Sequence, residues 1–261
     1  MPLELIGVDH RDENVGERID QALEEDDLVL VEGLHPEDEG ELLYGTSLID
    51  EGTELEESEI ETENDAVHRT VNEGNVVYLD EGLEGFADTT EDLTIEYMSA
   101  IESIKEADKS EELGEEDLFY LISMSVSDDT SYDAYFGEPE RSPGKQVEEY
   151  LRGVYEQKGK EMDEEDEREL EETSERIDDE YSWEYFKDKS AELFLHKPEL
   201  QEREEYWKRK IDIAAEEYDD DDLTIVVGSL HAMETEGNLR EKLEAEYEIN
   251  AAPITSYIES Q

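Results

Sequence analysis

The chain has 261 residues and carries 82 Asp and Glu against 21 Lys and Arg, a formal net charge of -61. A field of that sign excludes nucleic-acid backbones and anionic lipid surfaces as natural partners. In dilute buffer such a charge repels itself and opposes compaction. At molar salt the Debye length falls to about 3 Å and most of that repulsion is screened, so the composition points to a soluble protein of a salt-rich, halophilic cytosol.

Acidic composition also suits disorder, but hydrophobic residues make up 35% of the chain and are gathered in runs. LELIGV, DLVLVEG, NVVYLDEG, DLFYLISMSV and DLTIVVGSLH are apolar segments bounded by turn-forming and acidic residues. A disordered acidic tail lacks such segments. A chain of this length can bury a substantial core, and one α/β domain with a helical insertion at about 145–195 is expected. The absence of cysteine excludes disulfides and thiolate metal sites. Met1-Pro2 leads straight into a strand, so no secretory leader is expected. No apolar run approaches the roughly 18 residues that span a bilayer.

In chain order, Leu3 to Val8 reads as a short buried strand. A helix is expected from about Asn14 to Glu25, with Val15, Ile19, Ala22 and Leu23 at helical spacing. Leu28 to Val31 is a second strand, ended by Glu32-Gly33, which makes a strand–helix–strand unit with parallel strands. Residues 35–65 read as an acidic loop with one extended piece at 41–44. A short helix at 66–73 and a third strand at Val76 to Leu79 follow, ending in Asp80-Glu81-Gly82. Residues 93–107 read as helix, and 118–126 as a buried helix in preference to a strand.

Residues 128–144 combine Gly, Pro, Ser and Asp and read as an exposed loop. A long charged helical stretch is expected over 145–180, an aromatic helix over 183–194, and a further helix from Pro198 to Glu217. Leu223 to Val227 is the last strong strand. A closing helix at 237–247 and an edge strand at Ile254 to Ile258 complete the expectation, with no repeat of fixed period. The fold class is therefore α/β: a central mixed, mostly parallel sheet flanked by helices.

Four of these strands run into residues that do chemistry: Asp9-His10, Glu32, Asp80 and His231. In an open α/β sheet, ligands bind beyond the carboxyl ends of the strands. Both histidines follow a strand in one local frame, Gly7-Val8-Asp9-His10 and Gly228-Ser229-Leu230-His231, where glycine would let the chain turn sharply. Two neutral imidazoles and a carboxylate, His10, His231 and Glu32, make a three-ligand set for Zn, Mn or Co with a position left for water. The plainer alternative places both histidines as caps at the sheet edge, and Glu32 and Asp80 among the many acids of the chain. His35 is a further neighbour of Glu32 in sequence. His68 and His196 read as surface or packing residues, and Asp219 to Asp222 lacks the ligand spacing of a calcium loop.

The pattern resembles the TraB/PrgY and Tiki family, within the wider erythromycin-esterase and ChaN clan. The matching residues are Gly7 to His10, Val31-Glu32, Val77-Tyr78-Leu79-Asp80, the arginine-bearing helix around Glu202-Arg203-Glu204-Glu205-Tyr206-Trp207, and Ile225-Val226-Val227-Gly228-Ser229-Leu230-His231. They cover about the first 35 and last 60 residues and leave 85–195 unmatched. An acid precedes His10 where the family has a small residue, and Asp80 is followed by glutamate where arginine is common. The resemblance implies a metal-dependent hydrolase of the peptidase kind. His10, Glu32 and His231 would hold a divalent ion, Glu32 or Asp80 would act as ligand or general base, and Arg203 would meet a substrate carboxylate or a developing oxyanion. Its substrate would be a peptide or small molecule. A non-catalytic relative that sequesters a peptide or small molecule is the competing reading, and a haem- or cofactor-handling relative a third. The sequence leaves the oligomeric state open.

Overall fold

Mostly apolar runs of three to six residues make the strands. A computed structural model of the chain describes residues 3–34 (11, 13 and 26 apart), 63–83, 113–126, 131–137, 139–157, 162–218 (196 apart) and 223–260. The strands are β1 (Leu3–Val8), β2 (Leu28–Val31), β3 (Val76–Tyr78), β4 (Leu223–Gly228) and β5 (Ile249–Pro253). They form one sheet in the order β3-β2-β4-β1-β5. The α/β expectation of a mostly parallel sheet holds, and every pairing among the described residues is parallel. Parallel strands are covered on both faces by their crossover helices and so read as unbroken apolar runs. All four residues of β2 and all six of β4 are buried accordingly.

The chain divides into two compact units, one of Met1–Glu91 with Ser190–Gln261 and one of Asp92–Lys189. The first holds the sheet. Its helices are α1 (Val15–Ala22) and α2 (Glu63–Thr70), and, after the second unit, α8 (Pro198–Glu217), α9 (Ser229–Ala232), α10 (Leu239–Glu244) and α11 (Ile254–Ser260). Val15, Ile19 and Ala22 of α1 are buried, as their spacing requires. Proline in the first turn of α8 costs no hydrogen bond, because the N–H groups there have no partner within the helix.

The second unit is helical: α3 (Glu115–Ser125), α4 (Ser131–Phe136), α5 (Pro143–Gln157), α6 (Glu164–Glu180) and α7 (Trp183–Ser190). Its core is aromatic. Phe119 stacks on Phe186 at 5.2 Å, and Trp183 meets Phe186 edge-on at 5.8 Å. The expected charged helix at 145–180 is two helices, α5 and α6. They approach so closely that a Cβ on Gly144 would lie 2.1 Å from the backbone oxygen of Ser174.

Three local expectations are revised. The supposed exposed loop at 128–144 contains α4, whose Tyr132 and Ala134 are buried; the short apolar cluster Tyr132, Ala134, Tyr135 and Phe136 was masked by the Gly, Pro, Ser and Asp around it. The edge strand lies at Ile249–Pro253, pairing with β1 from Leu3↔Ile249 to Gly7↔Pro253, and the residues expected to form it begin α11. Proline suits the end of that strand because β5 is at the sheet edge. The aromatic helix passes into a π-helical turn at Ala191–Leu195. The readings at 41–44 and 93–107 lie outside the described residues.

Candidate active site

Because β1, β2, β3 and β4 run the same way, their carboxyl ends share one edge, and each end delivers a side chain to it. His10 lies two residues beyond β1, Glu32 one residue beyond β2, Asp80 two beyond β3, and His231 within α9, which begins where β4 stops. β2 sits between β3 and β4, which sets Glu32 between Asp80 and His231 along the edge. His10 Nε2 stands 3.6 Å from Glu32 Oε2, and His231 Nε2 stands 3.8 Å from Glu32 Oε1. The two histidines, far apart in the chain, thus address the two oxygens of one carboxylate.

Each imidazole is backed by a second carboxylate. His10 Nδ1 is 2.6 Å from Glu63 Oε1, and His231 Nδ1 is 2.6 Å from Glu204 Oε1. Glu63 stands at the head of α2 and Glu204 in α8, and both are buried. Trp207 packs edge-on against the His231 ring at 4.9 Å. His231 is buried, whereas the side chain of His10 is 48% exposed and forms the open side of the cluster.

Arg203 joins Glu32 to Asp80. Its NH2 group donates to Glu32 Oε1 at 3.0 Å and to Asp80 Oδ2 at 2.6 Å, and its Nε donates to Asp80 Oδ1 at 2.8 Å. Asp80 also accepts from the indole Nε1–H of Trp207 at 2.8 Å and from the Gly33 N–H at 2.8 Å. Gly33, at φ 103, supplies the left-handed turn that aims this N–H. With four donors on two oxygens and no exposure, Asp80 is an anchor for Arg203. The four donors fall two on each of its oxygens, and none of them is a histidine. Arg203, stacked 4.3 Å from the Trp207 ring centroid, is committed to Asp80 and Glu32.

The electrostatics follow from these contacts. Burial opposes ionisation of Glu32, but the charges of Arg203, His231 and His10 outweigh it and hold the carboxyl well below its usual range. The Glu63 carboxylate, with Glu32, raises His10 well above its ordinary value against the opposing effect of burial; the open side of the ring lets solvent screen part of this. Glu204 is lowered: burial raises it, but hydrogen bonding to His231 and Lys242 prevails.

Glu32 and Asp80 thus pair with Arg203, Glu204 with Lys242 and His231, and Glu63 with His10. A divalent ion would meet carboxylate charge here, since Glu32, Glu63 and Glu204 all border the two imidazoles. The donor chemistry suits one too, since each histidine has Nδ1 held by a carboxylate and Nε2 turned to Glu32. Bonds of about 2.1 Å at tetrahedral angles put ligand atoms roughly 3.4 Å apart. The 3.6 and 3.8 Å separations are slightly wider. Among the described residues no group of three or more His, Cys, Asp or Glu stands close enough together, as placed here, to hold a metal ion.

Sequence reasoning named His10, Glu32, Asp80, Arg203 and His231, and the structure brings all of them together. It gave no role to Glu63 or Lys242, nor to Glu204 and Trp207, which it quoted only as part of the arginine-bearing helix. In a chain with 82 acids nothing local separates Glu63 or Glu204 from a solvated carboxylate. The glycine of the second motif is also reinterpreted: Gly228 has φ -54, open to any residue, and is needed for space, as a Cβ there would lie 2.6 Å from His10 Nε2 and 3.2 Å from Glu32 Oε2. Gly7 lies inside β1 and turns nothing. His68 is apart from the cluster, with its Nδ1 3.1 Å from the Tyr78 hydroxyl. His35, His196 and 219–222 lie outside the described residues. No helix among the described residues is long and apolar enough to cross a membrane.

Comparison of the chain with protein families, with curated proteins and with solved structures found no match.

Proposed function

We propose that the chain is a metal-dependent hydrolase, of the kind its resemblance to the TraB/PrgY and Tiki family implies, acting on a peptide or related acyl bond. One observation carries this reading: two histidines from opposite ends of the chain turn Nε2 to opposite oxygens of Glu32, each with Nδ1 held by a buried carboxylate. His10, Glu32 and His231 would hold the ion. A divalent ion supplies a water of near-neutral acidity and polarises a carbonyl.

The chain's own residues do the rest. Arg203 and the Gly228 N–H, which donates to Glu32 Oε2 at 2.6 Å, keep the Glu32 carboxylate ionised and fixed in orientation. Asp80 keeps Arg203 in place. His10 lies on the solvent side, where a substrate enters and a proton leaves. The closed Arg203–Asp80–Glu32 arrangement also supports a second reading, a binding protein that uses the same edge without catalysis, because Arg203 is already committed and does not reach for an oxyanion.

Metal content by mass spectrometry, on protein purified in multi-molar KCl beside His10→Ala and His231→Ala, tests the proposal. Stoichiometric Mn, Co or Zn in the parent, lost in both folded variants, is the expected result, to be followed by a peptide-library assay. A parent that takes up no metal on reconstitution overturns the metallohydrolase reading and leaves the binding protein.

A further inference from the structure

Glu204 makes contacts on both sides. Its Oε1 meets His231 Nδ1 at 2.6 Å and its Oε2 accepts from Lys242 Nζ at 2.9 Å. Its side chain has no exposure, and that of Lys242 is 14% exposed. Lys242 comes from α10, which the Asn238 side chain starts by accepting the Glu241 N–H at 3.1 Å. The same Asn238 amide donates to the backbone oxygens of Met233 at 2.7 Å and His231 at 3.2 Å. The lysine and the histidine that flank Glu204 are therefore tied to one short stretch of backbone.

We infer that Glu204, oriented by Lys242, is a positioning residue that fixes the tautomer of His231, with the proton on Nδ1 and Nε2 bare toward Glu32. An ionised carboxylate has no hydrogen to give, so a 2.6 Å contact with Nδ1 requires the imidazole to donate. Lys242 can only donate, so it claims Oε2 and leaves Oε1 for the ring. Nε2 is then the acceptor nitrogen and the one available as ligand or base. The inference builds on the proposed site, but the tautomer is a property of the metal-free protein.

The arrangement predicts an unusual response to an isosteric change. In Glu204→Gln the amide has one acceptor and one donor end. Lys242 claims the carbonyl, so the NH2 faces Nδ1 and drives the proton to Nε2. Removing the lysine as well, in Glu204→Gln with Lys242→Met, frees the carbonyl to turn back to the ring and restores the original tautomer. A merely structural role for Glu204 predicts no such rescue.

The experiment is nitrogen-15 NMR of the histidine rings in chelator-treated protein, in multi-molar KCl and at a pH well above the usual histidine range, with His231 assigned through His231→Ala. The expected result is Nδ1–H in the parent, Nε2–H in Glu204→Gln and Nδ1–H again in the double variant. Zinc titration should follow the same order, with affinity lost about 10–100-fold in Glu204→Gln and regained in the double variant. An Nε2–H tautomer in the parent, or one unchanged in Glu204→Gln, overturns the inference. A parent with the Nδ1–H tautomer that binds no zinc leaves the inference standing and sinks the metal reading alone.

Discussion

Gly228 and His10 stand so close that no side chain fits between them: a Cβ on Gly228 would lie 2.6 Å from His10 Nε2. Val8 pairs with Gly228 across adjacent parallel strands, so the glycine of one motif makes room for the histidine of the other. The His10 ring cannot swing away cheaply, because Nδ1 is held by Glu63. Gly228→Ala is expected to push His10 off Glu32, lower stability by about 1–3 kcal/mol through overpacking, and weaken metal uptake as His10→Ala does. Thermal unfolding and a zinc titration check this. An unperturbed His10 ring in the variant would show that the space is not needed.

Asp80 is expected to govern stability more than chemistry. It satisfies two guanidinium N–H groups, the Trp207 indole and the Gly33 N–H from a fully buried position. Asp80→Ala leaves those donors buried and breaks an ion pair, a loss on the order of 3–5 kcal/mol. Denaturant unfolding in high salt measures it. A variant as stable as the parent would mean the Arg203 clamp is held by other groups.

The charge of -61 makes the fold depend on salt. At about 0.1 M the Debye length is roughly 10 Å, long enough for repulsion to act between neighbouring carboxylates, against about 3 Å at 1 M. Helical circular dichroism is expected to collapse as KCl is diluted from multi-molar to sub-molar and to return on adding it back. A signal indifferent to salt would show that the apolar core alone outweighs the repulsion.

The second unit turns on Gly144. Its N–H donates to Asp178 Oδ1 at 2.7 Å, and the missing Cβ lets α5 press on α6 beside Ser174. Gly144→Ala puts a methyl against rigid backbone, and the expected loss is about 1–3 kcal/mol. Hydrogen exchange should show faster opening in α5 and α6, with β1, β2 and β4 of the other unit little changed. Equal acceleration everywhere would mean that the two units unfold as one.

The Tyr247 hydroxyl donates to Asp212 Oδ1 at 2.9 Å. Burial, joined by this bond to a carboxylate, raises the phenol from 10.0 to about 12. Folding favours the neutral phenol, so this contribution to stability is fully present below pH 10 and is lost as pH rises from there through about 12. Phenolate absorbance of the parent minus that of Tyr247→Phe isolates one of the 14 tyrosines. Asp212→Asn should move its midpoint down, and an unmoved midpoint would discount the carboxylate.

Strand identity was legible in the sequence because buried parallel strands are nearly continuous apolar runs: Leu3–Val8, broken only by Glu4, Leu28–Val31, and Leu223–Gly228, broken only by Thr224, need no tertiary context to be seen. Their ends nominated His10, Glu32, Asp80 and His231 for the same reason, since a polar residue directly after such a run stands out from an acidic background. Position in the sheet was not legible. The order β3-β2-β4-β1-β5 sets the strand that leads to His231 between those that lead to Glu32 and His10, and it depends on which apolar runs pair across nearly the whole chain.

Charge pattern carried least. Helical spacing located α1 and the proline at its start located α8, but nothing in the spacing or residue type of Glu63 or Glu204 marks them among 82 acids. What distinguishes them is burial and a partner, which a chain acquires only on folding. Composition and periodicity by themselves determined an acidic α/β chain with His10, Glu32, Asp80 and His231 at or just beyond strand ends, because local apolar patterning survives in one dimension. Only the tertiary structure decided that Asp80 anchors Arg203, that Gly228 gives its space to His10, and that Glu204 faces His231. Each of those is a contact between residues distant in sequence, made possible by the parallel sheet that brings their strands together.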